Sequence, residues 1–208
     1  MLVLYLGAAG WLAFVLGALI LGLSLRRRPS RDRAERYSRV MHLLFFLGLG
    51  APFLVAAVSP GLTRLDALVG LSPLPLPVLR WTIGGLLALP GLYLLGASNR
   101  LLRARGDGAN AFRLTQRVVA ADVYRRTRNP MSLGYYLACV SIALLLGSSL
   151  LLGYVLLGVI PAHLFFLKFF EERELTLRLG ESYAAYREAV PFLLPAPIRG
   201  LPPNPRGS

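Results

Sequence analysis

Two clusters of polar residues interrupt an otherwise apolar chain, and both hold groups able to do chemistry. The first reads YRRTRNPMSLG over residues 124–134, and the second reads KFFEERELTLRLGESYAAYREAVPFLLP over residues 168–195. In the second, Glu171 and Glu172 are adjacent carboxylates with Glu174 close behind. At the C-terminal end of an apolar helix, acidic groups oppose the helix dipole, which argues against a merely solvated helix end. Carboxylates at such a place can hold a ligand ammonium or accept a proton. Lys168 reaches Glu171 or Glu172 at i,i+3 or i,i+4, and Glu174 reaches Arg178. In the first cluster Arg128 and Asn129 precede Pro130, a helix-start proline. Asn129 is expected to cap that helix, and the same N-terminus suits an anion such as a ligand carboxylate. His163 lies about two turns before Glu171, and the sequence leaves it open between a packing histidine and a functional one.

These clusters need elements to hold them, and composition says which kind. The chain has 208 residues, 55% of them hydrophobic, with mean hydropathy +0.58. That is too apolar for an ordinary soluble domain and fits an all-α polytopic membrane protein. Apolar segments run over about 2–25, 39–58, 78–98, 132–148 and 149–170, which predicts about five transmembrane helices. The fourth is short and joins the fifth through Gly147-Ser148-Ser149, a helical hairpin. Pro161 is expected to kink the fifth helix. Residues 171–190 carry Leu175, Leu179, Tyr183, Tyr186 and Val190 at helical spacing, interrupted at Gly180. The simple expectation is an amphipathic segment lying on the membrane surface. One domain over 1–195 is expected, with its cofactor-binding half at 100–195 and a disordered tail over 196–208.

Charge sets the orientation. There are 23 Lys+Arg against 10 Asp+Glu, a net charge of +13. Seven arginines lie in 26–39 and eight in 99–131, while 59–77 carries Arg64 alone and the hairpin turn carries none. The positive-inside rule puts the arginine-rich loops and the C-terminus in the cytoplasm and the N-terminus outside. Orientation and anionic headgroups account for this basic excess, so nucleic acid is not an expected partner. The expected location is a prokaryotic cytoplasmic membrane. The first segment does not read as a cleavable signal, because its basic flank follows the apolar run. Cys139 sits alone in an apolar run, and no Cys/His spacing suggests a metal. Gly106-Asp107-Gly108 is by itself a turn signal, and no strand–GxGxxG–helix unit exists.

Taken together, the clusters resemble the integral-membrane methyltransferases that include isoprenylcysteine carboxyl methyltransferases and phospholipid N-methyltransferases. The likeness covers residues 118–195. It rests on VVAADVYRRTRNPMSLG, a hairpin, and EERELTLRLGESYAAYREAVPFLLP, with matches at Glu171, Glu172, Leu175, Gly180, Tyr183, Tyr186, Val190, Pro191 and Pro195. It implies a cytoplasm-facing pocket for S-adenosylmethionine, lined by Val118, Val119, Tyr124, Asn129, Pro130, Met131 and Ser132. Gly106 and Gly108 would match the family's GxG after the third span. Glu171 and Glu172 would hold the cofactor's ammonium or ribose end, or face the acceptor. Glu171, Glu172 and Arg128 are the expected catalytic groups. The family Gly before Tyr124 is Asp122 here, and the Tyr after the proline is Ser132. Leu167, with Lys168 beside it, stands where animal isoprenylcysteine enzymes carry an arginine. The implied activity is methyl transfer to a lipid or small hydrophobic acceptor, with phospholipid N-methylation as one form of it. The alternatives are a carboxyl O-methyltransferase of isoprenylcysteine type and a non-catalytic membrane module with the same fold.

Overall fold

The computed structural model describes residues 2–58, 62–107 and 114–195, with backbone only for 2, 3 and 62–64. Among these residues every regular element is helical. The helices are α1 (Leu2–Arg27), α2 (Arg31–Val58), α3 (Leu62–Leu68), α4 (Pro77–Arg105), α5 (Val123–Arg126), α6 (Pro130–Leu146), α7 (Ser149–Leu179) and α8 (Glu181–Ala189). Four of them, α1, α2, α4 and α7, are long and apolar enough to cross a membrane. The fifth expected span is α6, with 17 residues. At 1.5 Å per residue it is about 25 Å long, a little short of a typical hydrocarbon core. The expected tail over 196–208 lies outside the described residues, as does Gly108.

Long helices in lipid must satisfy their own backbone, and prolines disturb that. Here α2 and α7 both carry wide π-turns beside their prolines. In α7 the Ile160 N–H bonds the Val155 carbonyl, five residues back, directly before Pro161. In α2 the Ala51 N–H bonds the Phe46 carbonyl, directly before Pro52. Each π-turn shifts the hydrogen-bond register where the proline removes a donor. A third π-turn, Leu167–Glu171, has no proline after it and ends at the paired carboxylates.

Two packing units build the bundle. In the first, α1, α2 and α7 share a core of Phe14, Ala18, Leu25, Met41, Leu49, Phe166 and Phe170. In the second, α4 lies along α6 at backbone contact. A Cβ placed on Gly134 would stand 2.8 Å from the Gly91 carbonyl oxygen and 3.0 Å from the Leu95 nitrogen. Small residues at such a crossing let dispersion and short polar contacts replace the missing hydrophobic drive between helices in lipid. One such polar contact is Ser141 Oγ donating to the Gly84 carbonyl at 2.7 Å.

The hairpin between α6 and α7 is closed by polar groups brought from elsewhere. Asp66 of α3 is buried and accepts from Ser148 Oγ at 2.9 Å and from the Leu150 N–H at 2.8 Å. Ser148 Oγ also accepts from the Leu151 N–H at 3.1 Å, an N-cap for α7. Arg80 donates to the Leu144 carbonyl at 3.0 Å and so satisfies the last turn of α6. The opposite end of the bundle gathers the start of α2, the end of α4, the start of α6 and the end of α7, and the candidate site lies there.

Replacing Gly134 by leucine is expected to force α4 and α6 apart, because backbone atoms that cannot rotate away face the new side chain. The cost should be about 1–3 kcal/mol, read as a lower Tm of the purified protein.

Candidate functional site

A cavity of about 360 Å³ opens at that end. Its walls come from four directions. Helix α2 contributes Ser38, His42 and Phe45; the segment 114–119 contributes Thr115, Val118 and Val119; the start of α6 contributes Arg128, Asn129, Met131 and Ser132; and α7 contributes His163, Phe166, Glu171, Glu174 and Arg178. Tyr124, Tyr183 and Tyr186 close the remaining side. Of the residues singled out from sequence, Val118, Val119, Tyr124, Arg128, Asn129, Met131, Ser132 and Glu171 line this one cavity.

The π-turn Leu167–Glu171 leads into the cavity end of α7. The Glu172 N–H bonds the Leu167 carbonyl, so one extra residue is accommodated in that turn. An extra residue rotates the rest of the helix by about 100° relative to an unbroken α-helix. His163, Leu167, Glu171, Glu174 and Arg178, spaced by three or four residues, share the cavity face of α7. Glu172 does not line the cavity. Its carboxylate stands 2.9 Å from Arg128 Nη1 and 3.3 Å from Lys168 Nζ, behind the wall. The Arg128 side chain is 8% exposed, so Glu172 neutralises a buried guanidinium and fixes its position.

Asn129 does something other than capping. Its side chain makes no capping bond, and its Nδ2 donates instead to the Phe192 carbonyl at 2.9 Å. Beside it the Arg128 N–H donates to the Pro191 carbonyl at 2.8 Å, and Thr127 Oγ1 donates to the Phe192 carbonyl at 3.3 Å. The chain beyond α8 is thereby stitched to the start of α6. Pro130 is buried in the first turn of α6 and supplies the helix start. Gly106 ends α4 and accepts the Gln116 N–H at 2.8 Å, which anchors the segment that carries Thr115, Val118 and Val119.

Helix α8 also departs from expectation. Its apolar stripe does not lie against lipid. Tyr183, Tyr186 and Val190 are buried against Val118, Ala120, Leu175 and Leu179, so α8 is a wall of the cavity. The turn at Gly180, with φ +64°, folds α8 back onto the segment before α5. Tyr186 donates its hydroxyl to the Tyr124 carbonyl at 2.7 Å. Burial pushes the Tyr124, Tyr183 and Tyr186 phenols above their ordinary value, so they serve as neutral donors.

The Glu174–Arg178 pair foreseen from i,i+4 spacing is buried rather than solvated, with side chains 1% and 4% exposed. Arg178 binds Glu174 through Nε and donates through Nη1 to the Thr115 carbonyl at 2.6 Å. It therefore ties the cavity segment to α7. His163 accepts or donates at Nδ1 with the Tyr136 hydroxyl at 2.9 Å and stacks on Phe166 at an interplanar angle of 10°. Sequence reading did not single out His42 or Ser38. Their signal is present in retrospect: they stand one turn apart on the face of α2 that carries Ala34 and Met41 into the core.

Asp122 occupies φ +48°, ψ −119°, a conformation that favours glycine. It is exposed and does not line the cavity. Its departure from the family's glycine is thus a matter of backbone strain, outside the chemistry. Asp122→Gly is expected to raise stability by about 1 kcal/mol and Tm by roughly 2–4 °C, with activity retained. The buried pair gives a second expectation. Glu174→Leu or Arg178→Met alone leaves an uncompensated charge and should cost ~3–5 kcal/mol, whereas the double replacement should cost much less. Thermal unfolding of the three variants measures this.

Among the described residues no group of His, Cys, Asp and Glu is arranged to hold a metal ion. No curated protein and no solved structure matches the chain. The sequence model of the phospholipid methyltransferase family matches residues 79–182, half of the chain, from the start of α4 to the start of α8. With its apolar helices and with both polar clusters meeting at one cavity, the chain belongs to the phospholipid methyltransferase family.

Proposed function

We propose that this protein transfers a methyl group from S-adenosylmethionine to the headgroup amine of a membrane phospholipid, at the cytoplasmic face. The observation that carries the reading is the convergence of Glu171, Arg128 and the start of α6 on one cavity at the arginine-rich end of the bundle. Family membership supplies the reaction class.

The residues present fit the cofactor. A cavity of about 360 Å³ is within the ordinary range for a cofactor site. Its donor set is mixed in the way a zwitterionic sulfonium needs: the Glu171 carboxylate for positive charge, Arg128 and the α6 N-terminus for a carboxylate, and apolar surface from Val118, Val119 and Met131. When bound, the cofactor supplies an already activated methyl group.

The protein's role is then placement. Glu171 holds a cation beside the start of α6. Glu172 keeps Arg128 in position and is itself paired with Lys168. Gly106 and the Arg178–Thr115 bond fix the segment that forms the outer wall. Tyr183 and Tyr186 on α8 exclude water, which strengthens each electrostatic contact within. A lipid acceptor reaches this end of the bundle from the membrane, and orientation of two reactants in a dry site supplies most of the acceleration. Arginines at the ends of α1 and α4 and the start of α2 favour the cytoplasmic leaflet.

Purified protein incubated with methyl-labelled S-adenosylmethionine and native lipid extract should yield base-stable label on headgroup amines. A parallel incubation uses a prenylated cysteine analogue. Label released as methanol by mild base would mean a carboxyl ester and would replace the amine reading. Absence of transfer to any acceptor would favour a non-catalytic module. Glu171→Gln is expected to lower transfer by at least ~10²-fold while leaving Tm within a few degrees.

A further inference from the structure

We infer that His42, on α2, is the general base that takes the proton from the acceptor's ammonium group. This rests on the amine-methylation reading above and adds a residue from outside the stretch that the family model matches.

An amine acceptor arrives at neutral pH as R–NH3⁺, whose nitrogen has no lone pair to offer. One proton must leave before the N–CH3 bond can form and the S–CH3 bond break. A group in the cavity has to accept it. Glu171 is the group placed to hold the cofactor's cation, and a base that also took the acceptor's proton would have to do both jobs at once. Dividing the work between an anchoring carboxylate and a separate base avoids that conflict. Asp122 is exposed and away from the cavity, and Glu172 is committed to Arg128 and Lys168.

His42 has what this step needs. It lines the cavity with Glu171. Its Nδ1 lies 2.8 Å from the Ser38 carbonyl oxygen. A carbonyl only accepts, so this contact makes Nδ1 the protonated nitrogen and leaves Nε2 with its lone pair free. The ring is thus held in the tautomer of a base. Facing it are Tyr135 on α6 and His163, Glu174 and Arg178 on α7, while α1 meets α2 through apolar Phe14, Ala18 and Leu25. Glu174 is already paired with Arg178, and His163 is engaged with Tyr136. The balanced step is R–NH3⁺ plus neutral His42 giving R–NH2 and His42–H⁺. The amine lone pair then takes the methyl from the sulfonium, whose sulfur leaves as a neutral thioether, and His42 returns its proton to water.

The test uses the full chain in lipid nanodiscs. His42→Gln keeps a donor for the Ser38 carbonyl but no base. It should lower methylation of phosphatidylethanolamine by ~10²-fold or more at pH 7, with the deficit shrinking toward roughly pH 10 as the free amine becomes available. Binding of S-adenosylmethionine, followed by equilibrium dialysis, should be unchanged. A variant that matches wild type at every pH overturns the inference while leaving the methylation reading intact. If the wild-type protein itself methylates no amine lipid, that reading has failed instead. Should the variant not fold, wild-type protein labelled with ¹⁵N-histidine decides. The chain has two histidines, and the His42 signal, assigned with the help of His163→Gln, should move on adding phosphatidylethanolamine but not phosphatidylcholine, which has no proton to give. Equal or absent responses to the two lipids would refute a contact between His42 and the acceptor amine.

Discussion

The site depends on three hydrogen bonds that join the start of α6 to the chain beyond α8. The Arg128 N–H, the Thr127 hydroxyl and the Asn129 amide all reach the carbonyls of Pro191 and Phe192. A proline at 130 has no N–H, so the segment entering α6 cannot close on itself as a regular turn would. The pairing with 191–192 gives its exposed polar groups partners and, in doing so, pulls α8 across the cavity mouth. With the packing of Tyr183 and Tyr186 on Val118, Leu175 and Leu179, it holds α8 as a wall of the cavity.

A second constraint is charge in a medium that does not tolerate it. Glu174 and Arg178 are almost wholly withdrawn from solvent, and Arg128 nearly so. Each arginine is balanced by a carboxylate from the same stretch of α7, and each also touches another segment: Arg178 the Thr115 carbonyl, Arg128 the neighbourhood of Phe192. Such pairs add little stability over apolar residues of like size, but they tolerate no other geometry. Their effect here is to fix the distances between α7, the 114–119 segment and the start of α6. Glu172 and Glu174 each balance one of these arginines, and the Glu171 carboxyl stands in the cavity wall.

Much of this was legible in the chain. Apolar runs of spanning length marked the helices, Gly147 and Ser148 marked the hairpin, and the family resemblance of the two polar clusters implied one shared site. The starts of α4, α6 and α7 fell within two residues of expectation, while α4 and α7 run on to Arg105 and Leu179, past the apolar runs that announced them. The parts that stayed hidden did so for physical reasons. A stripe of Leu175, Leu179, Tyr183 and Tyr186 is the same pattern whether it faces lipid or protein, so the inward packing of α8 could not be read from period alone. Asn129 before Pro130 is the usual cap signal, and only the arrival of Phe192 diverts it. The π-turn at Leu167–Glu171 has no proline to announce it.

The division of the chain comes from the same geometry. The portion from α4 to the start of α8 that the family model covers supplies the groups suited to a charged, water-soluble cofactor. Helices α1 and α2 lie outside it, and their sequence reads as little more than apolar spans. Yet α2 reaches the cavity with Ser38, His42 and Phe45, and α1 supports it through Phe14 packed on Phe45 and Phe166. The α6–α7 walls are held by ion pairs and backbone stitches, whereas α2 is held at the cavity by apolar packing against α1 and α7.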